Sequence, residues 1–317
     1  MNAIECHRLS RRFGTLVAVS DLDLEIPAGT IFGFLGPNGA GKTTTVRMLA
    51  ALIRPSSGSA RVAGYDVQTQ ATAVHSVIGI LTEMPGLYDT LSALENLTFF
   101  GRLYGLSATQ AVDRVSHYLR LFELWERRND PVGSFSKGMR QKLAIARALL
   151  HDPAIVFLDE PTAGLDPAAA HAVRQVIKTL RADGRTIFLT THNLAEADEL
   201  CDLIGVFRNR LISLDTPANL RARLFGQSVR VVLASWAAPL VPLVQQLPFV
   251  TDVVAEERVL SVRLTDPERN NPVLVRTLVA AGADLCYLEP FTPSLEAVYL
   301  ELLQEAEQPA ELPLHKS

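Results

Sequence analysis

Cysteine is scarce in this chain of 317 residues, which contains only three. Cys6, Cys201 and Cys286 lie far apart and are odd in number, so their pattern excludes a disulfide framework and the closely spaced pairs of a zinc module. We therefore expect three buried thiols in a reducing compartment.

Long apolar runs are absent too. No stretch approaches the roughly 18 consecutive apolar residues that a membrane-spanning helix needs. The richest stretch, residues 143–158, is interrupted by Arg147, His151, Asp152 and Pro153. The first residues also contain no apolar segment of the kind that forms a secretory signal. The sequence predicts a chain that does not cross a membrane and that acts at one only through a partner.

An excess of basic residues is the third feature that is missing. The chain has 30 Lys and Arg against 34 Asp and Glu, which gives a formal net charge of −4. Nucleic-acid-binding proteins usually carry a basic footprint, so we expect no nucleic-acid partner. With 48% hydrophobic and 20% charged residues, the composition is that of a globular protein, and the length allows two domains.

A glycine-rich stretch lies between a predicted strand and a predicted helix. Residues 30–35 form a short apolar run typical of a buried strand, and residues 44–53 read as a helix. The stretch consists of Gly36, Pro37, Asn38, Gly39, Ala40, Gly41, Lys42, Thr43 and Thr44. Its three glycines let the backbone bend tightly and present a row of N–H groups, to which the helix N-terminus adds partial positive charge. Lys42 can then reach terminal phosphates and the Thr43 hydroxyl can ligate Mg²⁺, so the sequence predicts a nucleotide-binding loop.

Polar side chains follow two further apolar runs. Residues 154–158 are followed by Asp159 and Glu160, and residues 186–190 are followed by Thr191 and His192. Ligands of open α/β sheets bind at the carboxyl ends of the strands, so we expect these side chains to share one edge of the sheet. Because neighbouring strand residues point to opposite faces, we expect Asp159 to serve a metal and Glu160 to face the reacting phosphate.

Helices replace strands between about residues 85 and 150. Ser107 and Gln110 form a capping box that starts one of them. The following helix places four apolar residues on one face: Ala111, Val115, Leu119 and Phe122. Farther on, Asp166 can cap a helix that has Pro167 in its first turn and runs to about residue 182. The region 85–150 is predicted to be a helical insertion within an α/β core.

Residues 1 to about 30 alternate like antiparallel strands, with residues 11–14 as a turn between two of them. Phe13 is a large aromatic beside this turn. Taken alone, it is as well explained by packing in the core as by contact with a ligand.

Residues 135–142, Phe-Ser-Lys-Gly-Met-Arg-Gln-Lys, resemble the signature motif of ABC transporter ATPases. The family's other motifs follow in the family order: residues 155–161 resemble Walker B, residues 163–167 the D-loop and residues 190–192 the switch histidine. Phe13 lies 29 positions before Lys42, where the family places an aromatic residue that stacks on adenine. The resemblance covers about residues 2–220.

The resemblance implies an α/β fold, a P-loop NTPase of the ABC type with a mixed sheet core, an antiparallel β subdomain and a helical subdomain. It implies that the chain binds ATP and Mg²⁺ and hydrolyses ATP. Thr43 and Asp159 would hold the metal, Lys42 would neutralise the β- and γ-phosphates, Glu160 would polarise the water and His192 would contact the γ-phosphate. The remaining nucleotide contacts would come from the loop 36–44 and from Phe13, Ser136, Gly138 and Asp166.

Two residues depart from the family pattern. Lys137 replaces the first glycine of the signature, while Ser136 and Gly138 are kept. In the Q-loop segment, residues 78–88, Glu83 stands where glutamine is usual. Glutamate there also occurs in the branch that resembles daunorubicin-resistance exporters. We expect Glu83 to lie near the nucleotide and the metal.

Composition changes near residue 226, and no nucleotide motif follows. We expect domains at 1–225 and 226–306 and a disordered tail at 307–317. The second domain reads βαββαβ, which suggests a small ferredoxin-like α+β fold. Its strands are predicted at 228–234, 250–255, 259–264 and 284–288, and its helices at 239–247 and 273–281. A last helix is expected to open with Thr292 as its cap and Pro293 in its first turn.

The resemblance implies an ATPase subunit that pairs head to tail with a second copy and drives separate membrane permease subunits. It would lie in the cytoplasm, peripheral on the inner face of the membrane, and energise export of a drug, lipid or polysaccharide. The alternative is a soluble ABC ATPase acting on nucleic acid or ribosomes. Such proteins typically carry two cassettes, a long coiled coil or zinc modules, none of which this sequence shows.

Overall fold

Two separate units, Met1–Asp215 and Thr216–Ser317, make up the chain. The computed structural model describes residues 1–82, 86–225, 227–291 and 293–307. The sequence analysis ended the first domain at residue 225, but helix Pro217–Phe225 belongs to the second unit because it packs against helix Leu295–Glu307. Apart from Glu307, the predicted tail lies outside the described residues.

A six-stranded mixed sheet is the centre of the first unit, and a four-stranded antiparallel sheet stands beside it in the same unit. The strands of the unit are β1 (Asn2–Phe13), β2 (Leu16–Pro27), β3 (Ile31–Leu35), β4 (Ser57–Val62), β5 (Tyr65–Asp66), β6 (Ile78–Leu81), β7 (Ile155–Asp159), β8 (Thr186–Thr191), β9 (Leu203–Arg208) and β10 (Arg210–Asp215). The mixed sheet has the order β10-β9-β3-β8-β7-β6, and only β10 runs antiparallel to its neighbour. β3, β7 and β8 are buried along their whole length, as the three apolar runs predicted.

The antiparallel sheet has the order β2-β1-β4-β5. β1 continues through Phe13, which pairs with Leu16, so the predicted turn at residues 11–14 is wrong in its position. The chain reverses at Gly14 and Thr15 instead, where Gly14 takes φ +58, a backbone conformation that glycine adopts without strain.

Seven α-helices are described in the first unit. They are α1 (Lys42–Leu49), α2 (Ala71–Val77), α3 (Ala93–Leu103), α4 (Ala108–Leu121), α5 (Lys137–Leu149), α6 (Pro167–Ala182) and α7 (Leu194–Leu200). α1 begins two positions before the predicted start at residue 44 and ends at Leu49 rather than at residue 53, since Ala51 has φ +55. α3 to α5 form the predicted helical region, and Ser107 caps α4 in a complete capping box. The four apolar residues predicted on one face of that helix are all buried.

Aromatic side chains fill the middle of the mixed sheet. The ring centroids of Phe34 and Phe207 lie 4.5 Å apart, and Phe188 lies 5.4 Å from both Phe34 and Phe157. Burying rings of this size contributes several kcal/mol in total, at roughly 25 cal/mol per Å² of apolar surface. The sheet therefore offers a rigid base for the loops at its carboxyl edge.

The second unit contains the predicted βαββαβ order. Its elements are α8 (Pro217–Phe225), β11 (Gln227–Leu233), α9 (Val241–Gln245), β12 (Val250–Glu256), β13 (Val259–Leu264), α10 (Pro267–Ala280), β14 (Leu285–Phe291) and α11 (Leu295–Glu307). The four strands form an antiparallel sheet in the order β12-β13-β11-β14, with α9 and α10 packed on its core residues. α9 is shorter than predicted because the 3₁₀ turn Ala238–Leu240 precedes it.

Two predictions for this unit need correction. Thr292 lies outside the described residues, and the hydroxyl of Ser294 accepts the Ala297 N–H at the start of α11. Ser294 is thus the cap of a helix that begins two positions later than the predicted first turn. Cys6 and Cys201 are buried as expected, but Cys286 is exposed on β14, an edge strand of its sheet.

Within the described ranges, none of the helices combines the length and apolar character needed to span a membrane.

Candidate active site

The glycine-rich loop connects β3 to α1 at the carboxyl edge of the mixed sheet. Two of its glycines meet backbone so closely that no side chain fits: a Cβ on Gly36 would collide with the carbonyl of Phe207, and one on Gly41 with the carbonyl of Ala18. Gly41 also has φ +101, which L side chains rarely adopt. The loop is therefore held tightly against its neighbours, with its N–H groups at the start of α1.

Lys42 is almost fully buried. Its Nζ donates to the carbonyl oxygens of Gly36 at 2.7 Å and Pro37 at 3.2 Å. The same Nζ lies 3.7 Å from a carboxylate oxygen of Glu160. Burial lowers the pKa of Lys42, while the charges of Glu160 and Asp159 oppose that shift. The side chain is fixed within the loop by carbonyl oxygens and faces the acidic strand end.

Asp159 is the last residue of β7 and is 4% exposed. One of its carboxylate oxygens accepts from the Thr43 hydroxyl at 2.9 Å, and the other accepts from the Thr190 hydroxyl. A buried carboxylate is tolerated when its oxygens are hydrogen-bonded. Asp159 thus joins the loop, β7 and β8 in one polar contact.

Glu160 follows directly and has φ +50, an uncommon conformation for a non-glycine residue. Its N–H is held by the carbonyl and hydroxyl oxygens of Thr190, at 3.1 and 3.2 Å. Its carboxylate lies 2.8 Å from Nδ1 of His192, the residue that follows β8. The bend after β7 places the Glu160 carboxylate beside Lys42 and His192, while Asp159 binds Thr43 and Thr190; the separate roles predicted for the two carboxylates stay a prediction.

These groups line one cavity of about 500 Å³. Twelve predicted site residues lie on its wall: Phe13, Pro37, Asn38, Gly39, Ala40, Gly41, Lys42, Thr43, Thr44, Asp159, Glu160 and His192. Gly36 contributes through the carbonyl that holds Lys42. Leu16 and Asn209 also line the cavity, and no sequence motif had indicated them. The volume and the convergence of lysine, hydroxyl and carboxylates suit a polyphosphate ligand.

Comparison with known proteins identifies the family. The model of the family described as "ABC transporter" matches residues 19–163 of this chain. A daunorubicin resistance ATP-binding protein of Streptomyces coeruleorubidus is 39% identical over 302 residues, covering 95% of both chains. The chain belongs to the ATP-binding proteins of ABC transporters. The resemblance drawn from the motifs is confirmed, and this ABC protein is an ATPase.

Two further comparisons agree. The Nod factor export ATP-binding protein I of Rhizobium sp. (strain N33) is 35% identical over 301 residues, covering 95% of this ABC ATPase and 96% of the relative. The solved structure of an ATP-binding subunit of an ABC transporter superposes with a TM-score of 0.65 at 32% identity, covering 71% of this chain and 94% of that one.

Phe13 is 45% exposed at the cavity mouth of the ABC ATPase. The guanidinium of Arg11 lies 4.6 Å from the centre of its ring. Arg11 is itself held by a 2.7 Å hydrogen bond to the carbonyl of Arg54. The arginine supports the aromatic ring from one side, by a cation–π contact.

The signature residues lie apart from the loop cavity. Ser136 caps α5, and its hydroxyl accepts the Met139 N–H. A second cavity, of about 420 Å³, lies between the start of α5 and the turn after β7; Lys137, Gln141, Asp159 and Glu160 are among its lining residues. Neither Ser136 nor Gly138 lines the loop cavity of the same polypeptide.

Asp166 does not line the loop cavity either. Asp166 caps α6, as predicted, by accepting the Ala169 N–H at 2.9 Å. Glu83 lies outside the described residues, so its predicted role stays a prediction.

The donor set at the strand end fits magnesium. Thr43 and Asp159 place a hydroxyl and a carboxylate oxygen 2.9 Å apart. Across the described part of the chain, no group of three or more His, Cys, Asp or Glu could hold a metal by itself. Mg²⁺ is usually bound by one or two protein oxygens together with substrate phosphates and water, which is what this arrangement offers.

Sequence reasoning missed two polar residues beside the site. Thr190 binds both Asp159 and the backbone of Glu160, although the sequence showed it only as the end of an apolar run and the first residue of the segment 190–192. Glu196 is 2% exposed and accepts a hydrogen bond from Thr162. The sequence signal for Glu196 was its place three residues after the cap Asn193, the spacing of a capping box, in the first turn of α7; nothing in the sequence indicated its burial.

Proposed function

We propose that this ABC ATPase energises an exporter. Two copies would pair head to tail, bind ATP between them and couple its hydrolysis to separate permease subunits at the inner face of the membrane. The names of the relatives support this, since they describe daunorubicin resistance and Nod factor export. The transported molecule would then be a drug, a lipid or a polysaccharide.

The observation that carries the proposal is the convergence of Lys42, Asp159, Glu160 and His192 on one cavity. Phosphoryl transfer depends mainly on positioning and on stabilising charge. Lys42 would neutralise the β- and γ-phosphates, exchanging part of its bonding to the loop carbonyls for phosphate oxygens. Glu160 would accept a proton from the attacking water, and His192 would hold the γ-phosphate while keeping Glu160 oriented through its 2.8 Å contact.

Thr43 and Asp159 would hold Mg²⁺ beside the terminal phosphates. When bound, the ion neutralises charge on the β- and γ-phosphate oxygens. The hydrogen bond from Thr190 fixes one oxygen of Asp159, so the other stays directed at Thr43. The metal contact predicted for Glu83 remains part of this proposal.

The position of the signature supports the proposed pairing of two copies. Ser136 and Gly138 open a helix of 13 residues, but they are outside the loop cavity of their own polypeptide. A helix N-terminus attracts phosphate, so these residues would complete the site of a second copy. Asp166 would act at the same interface, and Phe13 would stack on the adenine of the nucleotide bound to its own loop.

Glu160→Gln tests the assignment of the base. The substitution keeps the size of the side chain but removes the proton acceptor, a contribution of typically 10²–10⁴-fold. We expect ATP to bind with near-normal affinity, hydrolysis to fall by at least about a hundredfold, and a closed dimer to accumulate in light scattering with magnesium and ATP. Glu199→Gln, on the surface of α7, serves as the matched control and should hydrolyse ATP normally. Turnover by Glu160→Gln near the wild-type rate would contradict the assignment.

Co-purification tests the transport role. The tagged chain, expressed in its own cell type, should isolate with an integral membrane protein, and that partner should raise its ATPase rate. Stimulation by RNA or DNA in place of a membrane partner would favour the soluble alternative.

A further inference from the structure

Glu196 is the most deeply buried carboxylate of the described residues. It lies in the first turn of α7, where its N–H donates to the side chain of Asn193, the cap of that helix. Glutamate is almost never fully buried unless it is paired. Among the residues that the structure describes, Glu196 has no such pair: the nearby cation Arg174 lies 2.8 Å from Glu199 instead. Its burial therefore needs another explanation.

Hydroxyl groups are the polar partners of the Glu196 carboxyl group. The hydroxyl of Thr162 donates to Oε1 at 2.8 Å. Within the described residues, Oε2 is buried and has no hydrogen-bond partner. Burial raises the pKa of Glu196; the hydroxyls of Thr162 and Thr191 and the charge of Arg174 oppose that shift, while the nearby charge of Glu160 adds to it. The buried carboxyl group of Glu196 is thus held by hydroxyls, and the one on Thr162 belongs to the turn after β7.

Thr162 belongs to the same turn as the catalytic carboxylate. The Ala163 N–H donates to the carbonyl of Glu160 at 3.1 Å, and the Leu165 N–H donates to the carbonyl of Thr162 at 3.2 Å. These bonds make residues 160–165 a compact segment. A displacement of Thr162 would therefore be transmitted to Glu160.

Glu196 is joined to the other side of the site through α7. Asn193 caps the helix and directly follows His192. The hydroxyl of Thr191 accepts the Asn193 N–H at 2.9 Å, which ties the helix start to the end of β8. The contact between Thr162 and Glu196 thus connects the segment that carries Glu160 to the segment that carries His192.

We propose that Glu196 is a positioning residue for ATP hydrolysis, which acts through the Thr162 hydroxyl to hold Glu160 in register with His192. This inference rests on the proposed role of Glu160. Glu196 itself would touch neither nucleotide nor water. Its loss would leave nucleotide binding intact and misplace the base, and small misplacements of catalytic groups reduce rates strongly.

The test compares Glu196→Ala, Glu196→Gln, Thr162→Val and the double variant Glu196→Ala/Thr162→Val in the full-length chain. We expect Glu196→Ala to lower kcat by roughly tenfold or more, with KM and the Kd for ATP unchanged within about twofold. Glu196→Gln keeps an oxygen that can accept from Thr162 and should retain most of the rate. Thr162→Val should lower kcat as Glu196→Ala does, and the double variant should lose no more than either.

Glu199→Ala, one turn away on the exposed side of α7, is the matched control and should keep full activity. If Glu196→Ala does not fold, Thr162→Ser and Thr162→Val decide the matter, since serine keeps the hydroxyl and valine removes it. The proposal is overturned if Glu196→Ala or Thr162→Val keeps the wild-type kcat, if Glu196→Gln falls as far as Glu196→Ala, or if the two losses multiply.

Glu160→Gln, measured alongside, separates this inference from the proposed function. Full turnover in Glu160→Gln would remove the base assignment on which the inference rests. Loss of turnover in Glu160→Gln together with full turnover in Glu196→Ala would reject only the positioning role.

Discussion

Thr190→Val removes one hydroxyl from the centre of the site and leaves almost everything else in place. Thr190 is fully buried in β8, and valine replaces its hydroxyl with a methyl group of similar size. The hydroxyl donates to a carboxylate oxygen of Asp159, which is itself 4% exposed. The carbonyl of Thr190 still accepts the Glu160 N–H after the substitution, so the backbone link at 3.1 Å survives.

The loss of folding free energy expected for Thr190→Val follows from the negative charge of the acceptor, Asp159. A hydrogen bond to a charged group contributes about 1.5–3 kcal/mol, whereas one between neutral groups contributes about 1 kcal/mol. Thr186, at the other end of the same strand, provides the neutral comparison, because its buried hydroxyl accepts the Gly29 N–H at 2.9 Å. We expect Thr190→Val to cost about 2 kcal/mol and Thr186→Val about 1 kcal/mol. The difference corresponds to a shift in Tm of roughly 2–4 °C for a domain of this size.

Thermal unfolding of the two variants, followed by circular dichroism, measures that difference. ATPase assays on the same samples should show a larger loss in Thr190→Val, since Thr186 lies far along the strand from the cavity. Equal destabilisation by the two substitutions would refute the argument that the Asp159 charge strengthens the Thr190 bond. Equal ATPase rates would show that Asp159 does not need Thr190 to keep its position.

Three further outcomes are expected. Lys42→Ala should weaken ATP binding by about tenfold or more in calorimetry, because a charge-assisted contact contributes about 1.5–3 kcal/mol; unchanged affinity would contradict the loop assignment. Iodoacetamide at pH 8 should modify only Cys286 in the native chain, as seen by intact mass, since burial raises the pKa of Cys6 to about 12 and also raises that of Cys201. In urea unfolding, the free energy of unfolding of Glu196→Gln should rise relative to that of the wild type as the pH increases above about 4.3. Burial raises the pKa of Glu196, so the folded wild type loses stability when this carboxyl group gives up its proton, whereas glutamine has no proton to lose. A difference between the two free energies that shrinks with rising pH would contradict this.

Much of the site could be predicted because its signals are local. Gly36, Gly41 and Lys42 lie within one short loop whose neighbours in sequence are a strand and a helix. Asp159 and His192 each follow an apolar run directly. Patterns of this kind need only the rule that ligands bind at the carboxyl edge of a parallel sheet, and the structure brings these residues together there.

The residues that support the site could not be predicted, because their partners are distant in sequence. Thr190 contacts Asp159 only because β8 lies between β3 and β7, an order that no local pattern encodes. Glu196 reads as an ordinary glutamate at a helix start, and the packing of α7 against α6, β3 and β8 is not visible in any local pattern. The wrong predictions have local causes: serine and threonine both cap helices, so residue type alone does not exclude Thr292 in favour of Ser294, and an edge strand exposes Cys286.

The turn after β7 is held at several points. Thr190 binds the backbone of Glu160 from β8, and Glu196 binds Thr162 from α7. From the helical region, the side chain of Gln141 on α5 donates to the carbonyl of Pro161 at 2.7 Å. A shift of α5 must therefore either carry the turn with it or break that bond. Because Glu160 already occupies a strained backbone conformation, its alignment with His192 depends on these anchors together rather than on the local preference of the chain.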